Sequence, residues 1–225
     1  AARARFTNPG RAKMAQGSLN ALRLYGVAAV ESGHMASLAE GTNLAHYRAL
    51  AAIVEPSAYS TVSLDDGEMT KYQRVIEEAY SHAAVLPAPP GTVFQSHTTL
   101  TRWLELHYFT LTEALSVIEG HSAARVSITS LGKPDENDEQ KSFAALAAES
   151  LRLLRSQAAA TVTLPRADGD EEDGVVARAS FLVDSQRWQA FEEIVSKEAR
   201  RQTALDFKVT GPWPPYDFVR MQFGG

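Results

Sequence analysis

Nine residues near the end of the chain, Gly211-Pro212-Trp213-Pro214-Pro215-Tyr216-Asp217-Phe218-Val219, constrain the fold more than any other stretch. Three prolines within four positions remove three backbone donors and fix three φ angles. That composition excludes the interior of a helix or of a central strand. Gly211 permits a sharp change of direction at the start. Trp213 and Tyr216 then stand on a stiff, polyproline-like backbone that loses little entropy when packed. The segment reads as a rigid aromatic strap. A strand leads into it, because Leu205, Phe207 and Val209 alternate with Asp206, Lys208 and Thr210. Two roles are open to the strap: it folds back and pins the last strand with Trp213 buried, or it is an exposed docking edge. Pro212 and Pro215 also satisfy P-x-x-P, a pattern too common to decide between them.

The 225 residues suffice for one large domain or two small ones. No apolar run approaches the roughly 18–20 residues that span a bilayer, and no signal-peptide pattern is present. Cysteine is absent, which removes disulfides and thiol chemistry and suits a cytoplasmic protein. The net charge of −5 is unevenly spread. Residues 1–13 carry Arg3, Arg5, Arg11 and Lys13 and no acid, so the remainder carries −9. This basic start reads either as a nucleic-acid or membrane arm or, more simply, as a vector remnant or the result of an alternative start upstream of Met14, and it is set apart from the fold. An acidic body without a basic stripe argues against nucleic acid as a partner.

Periodicity divides the rest. Residues 22–30 read as a largely buried strand and 31–45 as loop. Tyr47 to Val54 reads as a second strand, ended by Pro56. Asp65 or Asp66 caps a helix over 67–84. Pro87, Pro89, Pro90 and Gly91 break the chain before a short apolar piece, Thr92 to Phe94. A single helix is expected over 98–119, stopped by Gly120. Then come a strand over 123–131, a polar break, a helix over 139–158, a strand from Ala159 to Leu164, and an acidic turn from Arg166 to Gly174. A strand from Val175 to Val183, a helix capped by Asp184 or Ser185, and the final strand complete the chain. From 123 onward the order is βαββαβ, that of a ferredoxin-like split βαβ unit. The expectation is an α+β protein of two domains, 14–121 and 122–225, the second a modified ferredoxin-like fold ending in the strap.

No arrangement of reactive residues emerges. The six histidines show no metal-ligand spacing: His97 and His107 are ten apart, about 80° around an ideal helix. His107 falls on an apolar stripe, where a packed, hydrogen-bonded histidine is the simpler reading. There is no G-x-S-x-G, P-loop or dinucleotide-binding glycine pattern. Acid pairs such as Asp65-Asp66 and Glu192-Glu193 fall at helix starts or outer faces, and the Asp168–Asp173 cluster lacks EF-hand spacing. Catalytic residues, metal ligands and cofactors are therefore not expected.

The strap and two further stretches carry a family resemblance. The strand ending in Val209-Thr210 followed by GPWPPYDFV resembles the C-terminal signature of the gas vesicle protein L/F family (GvpL/GvpF). Leu24-Tyr25-Gly26-Val27 is similar to that family's first strand, and Val85-Leu86-Pro87 through Gly91-Thr92-Val93-Phe94 to its mid-chain segment. The resemblance spans about residues 22–219. Pro89 and Pro90 depart from it, standing where the family usually has a basic residue and an aromatic.

The resemblance implies a non-enzymatic accessory protein of gas vesicle assembly, acting in the cytoplasm and at the vesicle. Its expected partners are the small hydrophobic shell protein and other gas vesicle accessory proteins, with no membrane and no small molecule. Unincorporated shell protein exposes apolar surface that must be covered, by strand addition or helix docking. The expected protein-binding residues are Pro212, Trp213, Pro214, Pro215 and Tyr216 of the strap, with Pro87, Pro89, Pro90 and Phe94 of the mid-chain segment. The alternative is a small-molecule-binding regulatory module on the ferredoxin-like unit, which rests on fold analogy.

Overall fold

The computed structural model describes residues 20–29, 41–132, 137–165 and 174–218. The basic tail at 1–13 and most of the acidic turn at 166–173 lie outside them. The described residues form a mixed α/β fold with two antiparallel sheets.

In the first sheet, strand β1 (Ala21–Ala29) is central. On one flank it pairs with β3 (Leu50–Ser57), which pairs in turn with β2 (Asn43–Tyr47). On the other it pairs with β4 (Val85–Pro87) and the two-residue β5 (Val93–Phe94). Both faces are covered. Helix α1 (Asp66–Tyr80) packs on one; α2 (His97–Leu106) and α3 (Tyr108–Ile118) pack on the other. A strand buried on both sides needs a near-continuous apolar run, which β1 supplies.

A register shift between Leu24 and Gly26 resets the alternation of β1. Leu24 and Val27 therefore face Leu100, Leu104 and Leu111 of α2 and α3. Tyr25 and Ala28 face Tyr72, Val75 and Ile76 of α1. Gly26 is obligatory at this crossing: a Cβ there would stand 2.8 Å from the Leu86 carbonyl oxygen and 3.0 Å from Val85 Cγ1.

Three expectations for this half need correction. The stretch Tyr47 to Val54 is not one strand but a hairpin, turned through Arg48 at φ 51°, whose guanidinium lies over the Tyr47 and Tyr108 rings. Pro56 does not end the strand; it pairs with Leu22 inside β3. The helix expected over 98–119 is two helices, interrupted at His107, whose ring packs on Trp103 at 5.1 Å between centroids.

The second sheet has strand order β7-β8-β6-β9, built from β6 (His121–Ser130), β7 (Ala160–Thr163), β8 (Val175–Asp184) and β9 (Leu205–Trp213). Helices α4 (Asn137–Arg155) and α5 (Trp188–Arg201) cover one face, over Val126, Ile128 and Phe181. Asp184 caps a short 3-10 turn before α5, its side chain accepting from the Gln186 amide. A buried acid, Glu198, sits on the inner side of α5, bonded by Ser150 Oγ at 2.6 Å and by Arg201.

The strap begins inside this sheet. Strand β9 continues through Gly211 and Pro212 to Trp213, so the expectation that the strap starts after the strand is corrected. Proline is tolerated because β9 is an edge strand with a register shift opposite Ala123 and Arg125. Gly211 has φ +135°, and a Cβ there would meet Trp188 Cη2 at 2.6 Å and the Ala123 carbonyl oxygen at 2.7 Å. Conformation and space both demand glycine here.

Replacing Gly26 by alanine is expected to lower unfolding stability by about 1–3 kcal/mol through overpacking against the Leu86 backbone. Chemical denaturation checks this; an unchanged midpoint would show that β1 and β4 are free to move apart.

Candidate functional site

Pro214 and Pro215 are buried, and after them the chain makes a single 3-10 turn, Tyr216–Phe218. That turn presents two adjacent side chains to different parts of the molecule. The Asp217 carboxylate accepts two hydrogen bonds from Arg125 of β6, from Nε at 2.8 Å and from Nη2 at 2.9 Å. Arg125 points away from α4 and α5, since its neighbours Ala124 and Val126 on β6 pack beneath those helices. The strap thus seats on the sheet's other face. The Tyr216 ring reaches the first half of the chain and lies 6.5 Å, between centroids, from Tyr72 of α1.

Tyr72 continues the contact inward. Its ring stacks on Tyr25 of β1 at 6.2 Å, and its hydroxyl donates to the Ala88 carbonyl oxygen at 2.6 Å. The Ala88 amide in turn donates to the Tyr25 carbonyl oxygen at 2.8 Å. One column of rings, Tyr25–Tyr72–Tyr216, therefore links the central strand, α1 and the strap, and fixes the Pro87–Pro90 segment beside it. A second link runs from Tyr80, whose hydroxyl donates to the His121 carbonyl oxygen at 2.5 Å.

Between α1, the mid-chain prolines and the strap lies a cavity of about 780 Å³. Met69, Tyr72, Gln73 and Glu77 of α1 form one wall, at the spacing of one helix face. Pro87, Ala88, Pro89 and Pro90 form another, and Arg125, Trp213 and Tyr216 close it. Trp213 is 38 % exposed, and its indole N–H donates to Thr210 Oγ1 at 3.2 Å, so it offers the cavity apolar ring surface.

The cavity brings together most of the residues singled out from sequence. Pro87, Pro89, Pro90, Trp213 and Tyr216 line it, although the two stretches are far apart in the chain. Pro214 and Pro215 lie buried in the seat of the strap, and Pro212 is exposed. Phe94 lies elsewhere, in a second groove of about 670 Å³ with Tyr59, Trp103, Leu106 and His107. The two roles considered for the strap are divided among its residues: Pro214, Pro215, Tyr216 and Asp217 pin it, while Trp213 stays open. Sequence reasoning missed Tyr72, Glu77, Arg125 and Asp217. Tyr72, Glu77 and Arg125 carry no local sign of a role and are put beside the strap only by the fold, whereas Asp217 lies within the strap and what it lacked was its partner, Arg125.

The hydrogen bonds to Asp217 hold Arg125 above its ordinary value, against an opposing effect of burial. Burial pushes the Tyr72 and Tyr216 phenols up, with the negative charge of Glu77 adding to the effect on Tyr216. Tyr25 is raised by burial and by its hydrogen bond to Glu55. Among the described residues, those lining the cavity include no histidine, serine or threonine, and no three histidine or carboxylate side chains are grouped to hold a metal ion. The arrangement offers ring faces, a carboxylate and a self-paired guanidinium, a chemistry of binding.

Comparison with known proteins gives a consistent result. The family model "Gas vesicle synthesis protein GvpL/GvpF" matches residues 21–138 and 130–220. Gas vesicle protein F1 of Halobacterium salinarum is 26 % identical over 190 residues, covering 83 % of this chain and 84 % of that protein. Gas vesicle protein F2 of the same organism is 24 % identical over 182 residues, covering 79 % and 80 %. The fold is similar to the crystal structure of GvpF from Anabaena sp. PCC7120, with a TM-score of 0.73 at 14 % identity over 90 % of this chain and 99 % of that one. It is also similar to GvpF from Microcystis aeruginosa, with a TM-score of 0.66 at 14 % identity over 90 % and 100 %.

The raised phenols give a pH prediction. A phenol whose folded pKa lies above its unfolded value of about 10 contributes stability that is fully present below pH ~10. That stability is lost as pH rises through the folded value. Tyr25, Tyr72 and Tyr216 are expected to stay protonated above pH ~10 and to ionise only as the fold is lost. Phenolate absorbance followed alongside circular dichroism checks this; reversible ionisation of these three near the ordinary value, with the fold intact, would contradict the buried column.

Proposed function

Because the chain belongs to the gas vesicle synthesis protein GvpL/GvpF family, and so has a role connected with gas vesicles, we propose that it is a non-enzymatic accessory protein of vesicle assembly. It binds the hydrophobic shell protein and supports nucleation or growth of the shell, in company with other gas vesicle accessory proteins. It works in the cytoplasm and at the vesicle, an expectation compatible with the absence, among the described residues, of any helix long and apolar enough to cross a membrane. The chain is read as two domains, 14–121 and 122–225. The strand order β7-β8-β6-β9 supports taking the second as a modified ferredoxin-like unit.

The observation that carries the reading is the convergence of Pro87, Pro89, Pro90, Trp213 and Tyr216 on one cavity, within a chain matched by the family model almost throughout. Trp213, with its ring surface open, is proposed as the contact residue. Pro214, Pro215 and Tyr216 hold it in place, and Pro212 edges the same surface. The Phe94 groove, flanked by Leu106 at 75 % exposure, is proposed as a second apolar contact.

A second reading is favoured by the cavity itself. A concave space of about 780 Å³ between the two sheets has the size of a small-molecule site. A rise in melting temperature with a candidate metabolite would favour that regulatory-module reading.

The test is quantitative capture of a gas vesicle shell protein. Wild type is expected to capture it, and Trp213→Ala, which removes an exposed ring, to capture it at least about tenfold more weakly while remaining folded. Equal capture by both would remove Trp213 from the contact. Failure of wild type to capture it would contradict direct shell binding.

A further inference from the structure

The charges around the cavity do not balance, and this indicates what enters it. Arg125 is the cation among its described lining residues, and it is already bonded through Nε and Nη2 to Asp217. Glu77 is the carboxylate of the wall, exposed, with no side-chain hydrogen bond or ion pair among the described residues. The uncompensated charge is therefore negative. Around it stand three aromatic residues, Tyr72, Trp213 and Tyr216, with Met69, Pro87 and Pro89 supplying apolar surface. Ring faces attract cations, and desolvation strengthens that attraction.

The space is larger than a bare ammonium ion needs, at about 780 Å³. A methylene stem against Met69 and the prolines would fill it, with the charged head beside Glu77; long basic side chains bury their stems in this way.

We infer that the cavity between α1 and the strap takes up an arginine or lysine side chain of the partner protein, with its charge at Glu77 and its stem along Met69 and Pro87. This rests on the reading that the chain binds the shell protein. It adds what that reading lacks: a polar specificity element within an apolar contact, able to set the register of docking.

The experiment measures capture of a gas vesicle shell protein by wild type, Glu77→Lys, Glu77→Gln and a control, Glu192→Lys. Glu192 is exposed on α5, away from the cavity. Both positions are on the surface, so the variants are expected to fold, and thermal melts check that they do. Glu77→Lys is expected to weaken capture at least about tenfold, Glu77→Gln less, and Glu192→Lys not at all. Changing the shell protein's basic residues one at a time to glutamate should then find one that restores binding to Glu77→Lys. If wild type captures shell protein and Glu77→Lys captures it equally, this inference is overturned and the shell-binding reading stands. If wild type captures none, both fall together. A second copy of this chain as occupant would show in sedimentation as a dimer abolished by Glu77→Lys, and would also overturn the inference.

Discussion

The rest of the structure depends on Tyr216 resting against Tyr72. The strap is bonded to its own sheet through Asp217 and Arg125, but only the tyrosine carries it across to α1. An aromatic pair of this kind is worth about 0.5–1.5 kcal/mol beyond the area it buries, and a hydrogen bond to a charged group about 1.5–3 kcal/mol. Neither is large. Their effect comes from adjacency: Tyr216 and Asp217 sit on one short turn whose backbone is stiffened by Pro214 and Pro215. Moving either contact strains the other. The prolines thus convert two modest interactions into a clamp, and the cavity between α1 and the strap exists because the clamp holds its walls apart at a fixed distance.

The same geometry leaves Trp213 open. Gly211 turns the chain where the Trp188 ring and the Ala123 carbonyl leave no room for a side chain, and Trp213 is delivered to the cavity mouth with its N–H satisfied locally. A residue so placed adds nothing obvious to the clamp. Together with the unspent charge of Glu77 it makes the junction of the two sheets look built for a partner with an apolar surface and one basic group.

Much of this was legible beforehand. Proline spacing announced the strap's stiffness, because a fixed φ and a missing donor are properties of the residue itself. The helices of the second half followed their apolar periodicity closely. What stayed hidden was non-local or conformationally unusual. The strap's destination was invisible because Arg125 lies 92 residues from Asp217 and carries no local sign of its role. The β2–β3 hairpin was read as one strand because its turn uses Arg48 and Ala49 in place of the Asn-Gly or Gly-containing pairs that mark such turns. The α2–α3 break was missed because the apolar stripe continues across His107. The burial of Glu198 is likewise non-local, since Ser150, which donates to it, lies 48 residues away. Of the candidate site, the strap and the mid-chain prolines were found from sequence, and α1, which joins them, was not.

The central claim is that the strap makes the two sheets behave as one body. Differential scanning calorimetry of wild type and a Tyr216→Ala variant tests it most directly. The account predicts one cooperative transition for wild type and two separable transitions for the variant, the two sheets unfolding independently once the ring is gone. A single unchanged transition in the variant, or two transitions already present in wild type, would contradict it.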